Sequence, residues 1–109
     1  MTKPEFHRAA IRQLKLLAKS LQLEPGEFDI RSNKGGPAIY GDITLHTDHV
    51  YVKATKSIGD PGLLIRSCTS RKDFTGGHNT FAPIDLLNDI PLLTARVRQT
   101  ERRTAAPVE

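Results

Sequence analysis

Apolar residues recur at Phe6, Ala10, Leu14, Leu17 and Leu21, at intervals of four, four, three and four, with Ile11 and Ala18 widening the stripe. That is the period of an α-helix burying one face, and it predicts a helix over about residues 4–22. Pro4 suits a first turn, and "EPG" at 24–26 supplies the stop. On the opposite face Arg8, Arg12, Lys15 and Lys19 follow one another at four, three and four. No acid interrupts that face after Glu5, so its cations repel one another unless something anionic arrives. Such a stripe reads either as a solvated outer face or as a docking surface.

Beyond the first helix the period changes to two. "EFDIRS" puts Phe28 and Ile30 on one side, and "NKGGP" at 33–37 is a turn. "AIYGDITLHTDHVYVKATK" predicts a β-hairpin across 39–56. With Thr47 and Asp48 as its turn, Leu45 meets Val50 and Ile43 meets Val52 on one side. The other side then pairs His46 with His49, Thr44 with Tyr51, and Asp42 with Lys53. Because Thr-Asp is not a favoured two-residue turn, a four-residue loop is the alternative. "SIGDPG" (57–62) turns the chain again, and "LLIRSCTS" (63–70) supplies a further strand, for a meander of about four antiparallel strands. "RKDFTGGHNTF", residues 71–81, then reads as a long glycine-hinged crossover tethered by Phe74 and Phe81. "APIDLLND" (82–89) reads as a short helix with Pro83 in its first turn. Asp89 is placed to cap a second helix through "IPLLTARVRQTERR".

One helix, several strands, then one or two helices make an α+β domain with the helices on one face of an antiparallel sheet. The predicted domain spans 1–103, with 104–109 a frayed tail. The longest apolar runs fall far short of the roughly 20 residues a spanning helix needs, so no membrane partner is expected. "MTKPEFHRAA" lacks the apolar stretch of a secretory signal, which makes the cytoplasm the default. A single cysteine, Cys68, leaves no internal disulfide or cysteine-rich zinc site to expect.

Charge sharpens the picture. The net +4 is unevenly spread. Both ends are basic, Arg96, Arg98, Arg102 and Arg103 matching the first helix, while in 24–93 acids outnumber cations. Candidate chemistry is thin. His46, Asp48 and His49 at the hairpin tip, with His78 elsewhere, have the residue types of a metal site, but a catalytic zinc needs three protein ligands and only His78 or Asp48 could be the third. Cys68 has Arg66 two residues away and is also what a packing cysteine in a strand looks like. The scattered carboxylates suit loops and caps, and neither glycine pair has phosphate-loop spacing. Tyr51 and Lys53 share the non-core sheet face with Arg66 one strand over, an aromatic and basic grouping of the kind that binds single-stranded nucleic acid. No catalytic residue, metal or cofactor is assigned.

"GDITLHTDHVYVKATKS" followed by "LLIRSCTSRKDFTGGHNTFAPIDLL" resembles small uncharacterised proteins carried on bacterial plasmids, integrative elements and phage, over roughly residues 30–90. The resemblance implies an accessory role, such as modulating a host complex or handling element DNA, and carries over no functional residue. The expectation is therefore a non-enzymatic protein that binds an acidic protein or nucleoprotein. Arg8, Arg12, Lys15 and Lys19 would form one contact surface, and Tyr51, Lys53, Arg66, Arg71, Lys72, His78 and Asn79 another. Direct nucleic-acid binding is the alternative, and a metal- or thiol-dependent enzyme the more distant one. Oligomeric state is left open.

Overall fold

A computed structural model describes residues 2–35, 40–56, 61–70 and 79–105, the last five as backbone only. Helix α1 runs Lys3–Ser20 and is followed by strands β1 (Phe28–Asn33), β2 (Asp42–Thr47), β3 (Val50–Thr55), β4 (Gly62–Ser67) and β5 (Asn79–Pro83). A 3-10 turn, Ile84–Asn88, leads into α2, Ile90–Ala105. The strands form one antiparallel meander in chain order. The fold class is α+β, as the alternation of patterns requires.

Alternation places the core. Ile43, Leu45, Val50, Val52, Ala54, Leu63 and Ile65 point to one side of the sheet and are almost wholly buried. Against them pack Phe6, Ala10, Leu14, Leu17 and Leu21 from α1, and Leu93 and Val97 from α2. Helix α1 lies over β1 and β2, and α2 over β3 and β4. Among the described residues no helix touches the other side of the sheet, so the molecule has an inner and an outer sheet face. None of the described helices is long and apolar enough to cross a membrane.

The ends of α1 are set by local chemistry. Thr2 and Glu5 form a reciprocal capping box: the Thr2 hydroxyl accepts from the Glu5 amide at 3.3 Å, and a Glu5 carboxylate oxygen accepts from the Thr2 amide at 3.1 Å. At the other end the helix stops before the expected "EPG". Gln22 takes the left-handed conformation, φ 61°, and the amides of Gln22 and Leu23 turn back to the carbonyls of Lys19 and Ala18. This is the Schellman arrangement with glutamine where glycine is usual. His7, buried among core residues, ties α1 to the sheet through Ser32 Oγ and the Tyr40 carbonyl. The amide of Gln13 donates to the Leu87 carbonyl at 2.9 Å, and the Ser20 and Thr94 hydroxyls meet at 2.8 Å, tying α1 to the chain's end.

Five expectations are corrected. The sheet has five strands, because residues 79–83 pair with β4 instead of belonging to a crossover and a helix. Pro83 ends this edge strand, the position a residue without an amide hydrogen tolerates, and the helix expected over 82–89 shrinks to the 3-10 turn. Phe81 is 59% exposed on the outer face and tethers nothing; Phe74 lies outside the described residues. The hairpin turn is centred on Asp48 and His49, not Thr47 and Asp48. Leu45 therefore meets Val52, His46 meets Tyr51 and Thr44 meets Lys53. The reason is the Thr47 hydroxyl, which accepts from the amides of His49 and Val50, each at 3.0 Å, and so closes the turn from its first position. The slip moves one partner by two residues, which leaves every side chain on its expected face. Finally, Asp89 caps α2, its carboxylate accepting from the Leu92 amide at 3.2 Å, and α2 continues to Ala105, into the stretch read as frayed.

Candidate binding surfaces

Two surfaces carry the polar residues singled out above, and they face opposite ways. On α1 the core residues occupy one side of the helical wheel. Arg8, Arg12, Lys15 and Lys19 fall within about 60° of one another on the other side, at 100° per residue. All four are exposed. Their Cα atoms span about 16 Å of helix at 1.5 Å per residue. Ile11 and the 45%-exposed Leu16 flank the row, one on each side, and the six residues line an open groove of about 490 Å³ with no carboxylate in it. Among the described residues none of the four cationic side chains makes a hydrogen bond or ion pair. Glu5, the only acid of α1, is engaged at the N-terminus, where its bonds from Thr2 hold its carboxyl below the usual carboxylate range.

The outer sheet face is built by alternation from the positions between the core residues. Across the strands one row reads Asp29, His46, Tyr51, Arg66, Asn79, and the next reads Arg31, Thr44, Lys53, Leu64, Phe81. The Arg66 guanidinium lies over the Tyr51 ring at 4.6 Å, and the His46 ring meets Tyr51 edge-on at 5.2 Å. Burial pushes the Tyr51 hydroxyl above its ordinary value, the Asp42 carboxylate adds to this, and Arg66 opposes it. Burial likewise lowers His46, against the raising effect of the bond its ring donates to the Ser70 backbone carbonyl, while Arg66 and Arg31 lower it further. A small polar cavity of about 170 Å³ opens among Asp29, Arg31, Asn33, Asp42, Thr44, His46 and Tyr51. Nε of Arg66 is buried and has no acceptor among the described residues.

The two expected contact surfaces thus lie on opposite sides of the domain. Arg8, Arg12, Lys15 and Lys19 point away from the sheet, whereas Tyr51, Lys53, Arg66 and Asn79 lie on its outer face, with α1 and the core between. Arg71, Lys72 and His78, and most of the 71–81 stretch, lie outside the described residues. His46 faces Tyr51, not His49, so the two imidazoles are not a cross-strand pair. Among the described residues no group of three His, Cys, Asp or Glu side chains is placed to hold a metal ion. Cys68 is buried, with its thiol directed to the Thr47 carbonyl at 3.4 Å. Leu16, Arg31, Leu64 and Phe81 were missed as surface members. Leu16 was legible as a leucine off the apolar stripe, and Arg31 from its alternation with Phe28 and Ile30. Phe81 was hidden because β5 was. No family model, curated protein or solved structure matches the chain.

Proposed function

We propose that this chain is a non-enzymatic binding protein that docks an acidic protein segment along α1. The observation carrying this reading is the groove of four exposed, unpaired cations flanked by Ile11 and Leu16. Same-sign neighbours at three and four residues oppose helix formation, so the row is not explained by the helix's own stability. Phosphates alone need no apolar flank. An acidic helix does: laid along α1 with carboxylates at the same four, three, four spacing, it would meet all four cations and press its apolar neighbours on Ile11 and Leu16. Arginine is among the residues at which binding energy concentrates, and the apolar flank supplies the desolvated surroundings such contacts need.

The test is fluorescence anisotropy with a labelled helical peptide carrying glutamates at that spacing and leucines beside them. Binding is expected to weaken with salt, to vanish in the Arg12→Gln/Lys15→Gln variant, and to weaken in Leu16→Ala without a change of salt slope. Equal binding of the same peptide with glutamine for glutamate would overturn the reading. So would displacement of the peptide from α1 by an oligonucleotide, which would make the row a phosphate track.

A further inference from the structure

The outer sheet face is not used by that reading, and it is not chemically uniform. Its carboxylates, Asp29 and Asp42, lie on β1 and β2. The half over β3, β4 and β5 presents Tyr51, Lys53, Leu64, Arg66, Asn79 and Phe81, with no acid among the described residues. Every kind of group that holds a nucleic-acid strand without reading a duplex is there. Phe81 offers an exposed ring, and Tyr51 a second ring, with the Arg66 guanidinium 4.6 Å from its centroid. Lys53, in the same row as Phe81, supplies a phosphate contact, and Asn79 an amide beside Arg66.

We propose that this half-face binds single-stranded nucleic acid, the strand running across β3–β5 with bases on Phe81 and against the Tyr51–Arg66 pair and phosphates toward Lys53 and Arg66. Three features choose this occupant. No helix projects from the described part of this face to enter a duplex groove, while its side chains stand up from the pleat where unstacked bases can reach them. The carboxylates of Asp29 and Asp42, only partly offset by Arg31 on the same face, make the β1–β2 end less favourable to phosphates and give the track a boundary. An acidic protein would find cations here but only the Leu64–Phe81 pair as an apolar centre, too little for a specific interface core.

Labelled single-stranded DNA and RNA and the matching duplex, titrated by anisotropy at several salt concentrations, decide it. The intact protein is expected to prefer the single strands. Phe81→Ala is expected to lower single-strand affinity roughly 5- to 100-fold, the range for loss of one base stack. Lys53→Gln is expected to reduce the slope of log affinity against log salt by about 0.7. Phe81 is mostly exposed, so its loss should leave the circular dichroism unchanged, and Phe81→Trp should restore binding. The α1 variant Arg12→Gln/Lys15→Gln should bind single strands within about twofold of the parent, which separates failure here from failure of the α1 reading. Single-strand binding that ignores both Phe81→Ala and Lys53→Gln overturns the proposal. So does binding abolished by the α1 variant, or equal affinity for the duplex.

Discussion

Replacing Arg12 and Lys15 together by glutamine should make the protein more stable. Along the row the neighbouring like-charge pairs are Arg8 with Arg12, Arg12 with Lys15, and Lys15 with Lys19, and this double change removes all three. Each such pair opposes the helix by about 0.2–0.5 kcal/mol, for a total of about 0.6–1.5 kcal/mol. The offsets are small. Arginine, lysine and glutamine have similar helix propensities. Arg8 stays near Glu5, and Lys19 stays in the last turn, where a cation favours the helix dipole. For a domain of this size the gain corresponds to a rise in melting temperature of roughly 3–9 °C.

Thermal unfolding followed by circular dichroism in about 10 mM and about 1 M salt checks it, since the screening length falls from about 30 Å to about 3 Å between them. The difference between the two salts isolates charge from the packing that the longer Arg12 and Lys15 stems contribute over Leu16. A stabilisation present at low salt and absent at high salt supports a row of unpaired cations. A variant no more stable than the parent at low salt would refute it, because some acid of the chain would then be neutralising the row.

Other expectations rest on single residues. His46 has a folded-state pKa lowered by burial, so below about 6.5 the unfolded chain binds the proton more readily than the folded one. Stability is therefore complete above that pH and falls on acidification through the folded value, and His46→Leu should flatten urea-measured stability between pH 7 and 5. Gln22→Gly should stabilise by about 0.5–1 kcal/mol, since the left-handed φ of 61° suits glycine. Gly41→Ala should destabilise by more than about 1–3 kcal/mol, because at φ 78° its Cβ would meet the Asn33 carbonyl oxygen at 2.1 Å. Leu45→Ala, in the fully buried centre, should lose about 3–5 kcal/mol, while Phe81→Ala stays within about 0.5 kcal/mol; equal losses would mean that Phe81 belongs to the core.

What could be read from the chain followed the strength of its periodicities. Leu14, Leu17, Leu45 and Val52 were recoverable because burial of one face imposes a 3.6 or 2.0 repeat that survives any detail of turns. The two-residue slip in the hairpin was invisible to that repeat, since it preserves parity, and was decided by the hydroxyl of Thr47. The strand at 79–83 was missed because it is short, ends in proline and shows only Thr80 and Ala82 inward, too few positions for a pattern. Its pairing with β4 is a tertiary fact. The α1 row was legible outright, for its charges are exposed and owe nothing to the fold. The outer face was legible only in part: Tyr51 and Lys53 follow from alternation within β3, but placing Arg66 over Tyr51 and Phe81 beside Leu64 needs the inter-strand register.

That register also decides how the two proposed surfaces relate. Helix α1 packs by its apolar side on the inner face, so its cations point away from the sheet, and Tyr51, Lys53 and Arg66 point the other way. A helix diameter, about 10 Å, and the sheet itself stand between them. Both ligands are anionic, and each would weaken the positive field that draws in the other. At physiological salt the screening length is about 8 Å, shorter than the separation, so this opposition should fade to nothing. No single ligand can cover both surfaces without wrapping the domain. The arrangement therefore suits a bridge, with an acidic segment held on α1 and a strand on the sheet at once, better than one extended site. The rigid core between them would fix their spacing without coupling their affinities.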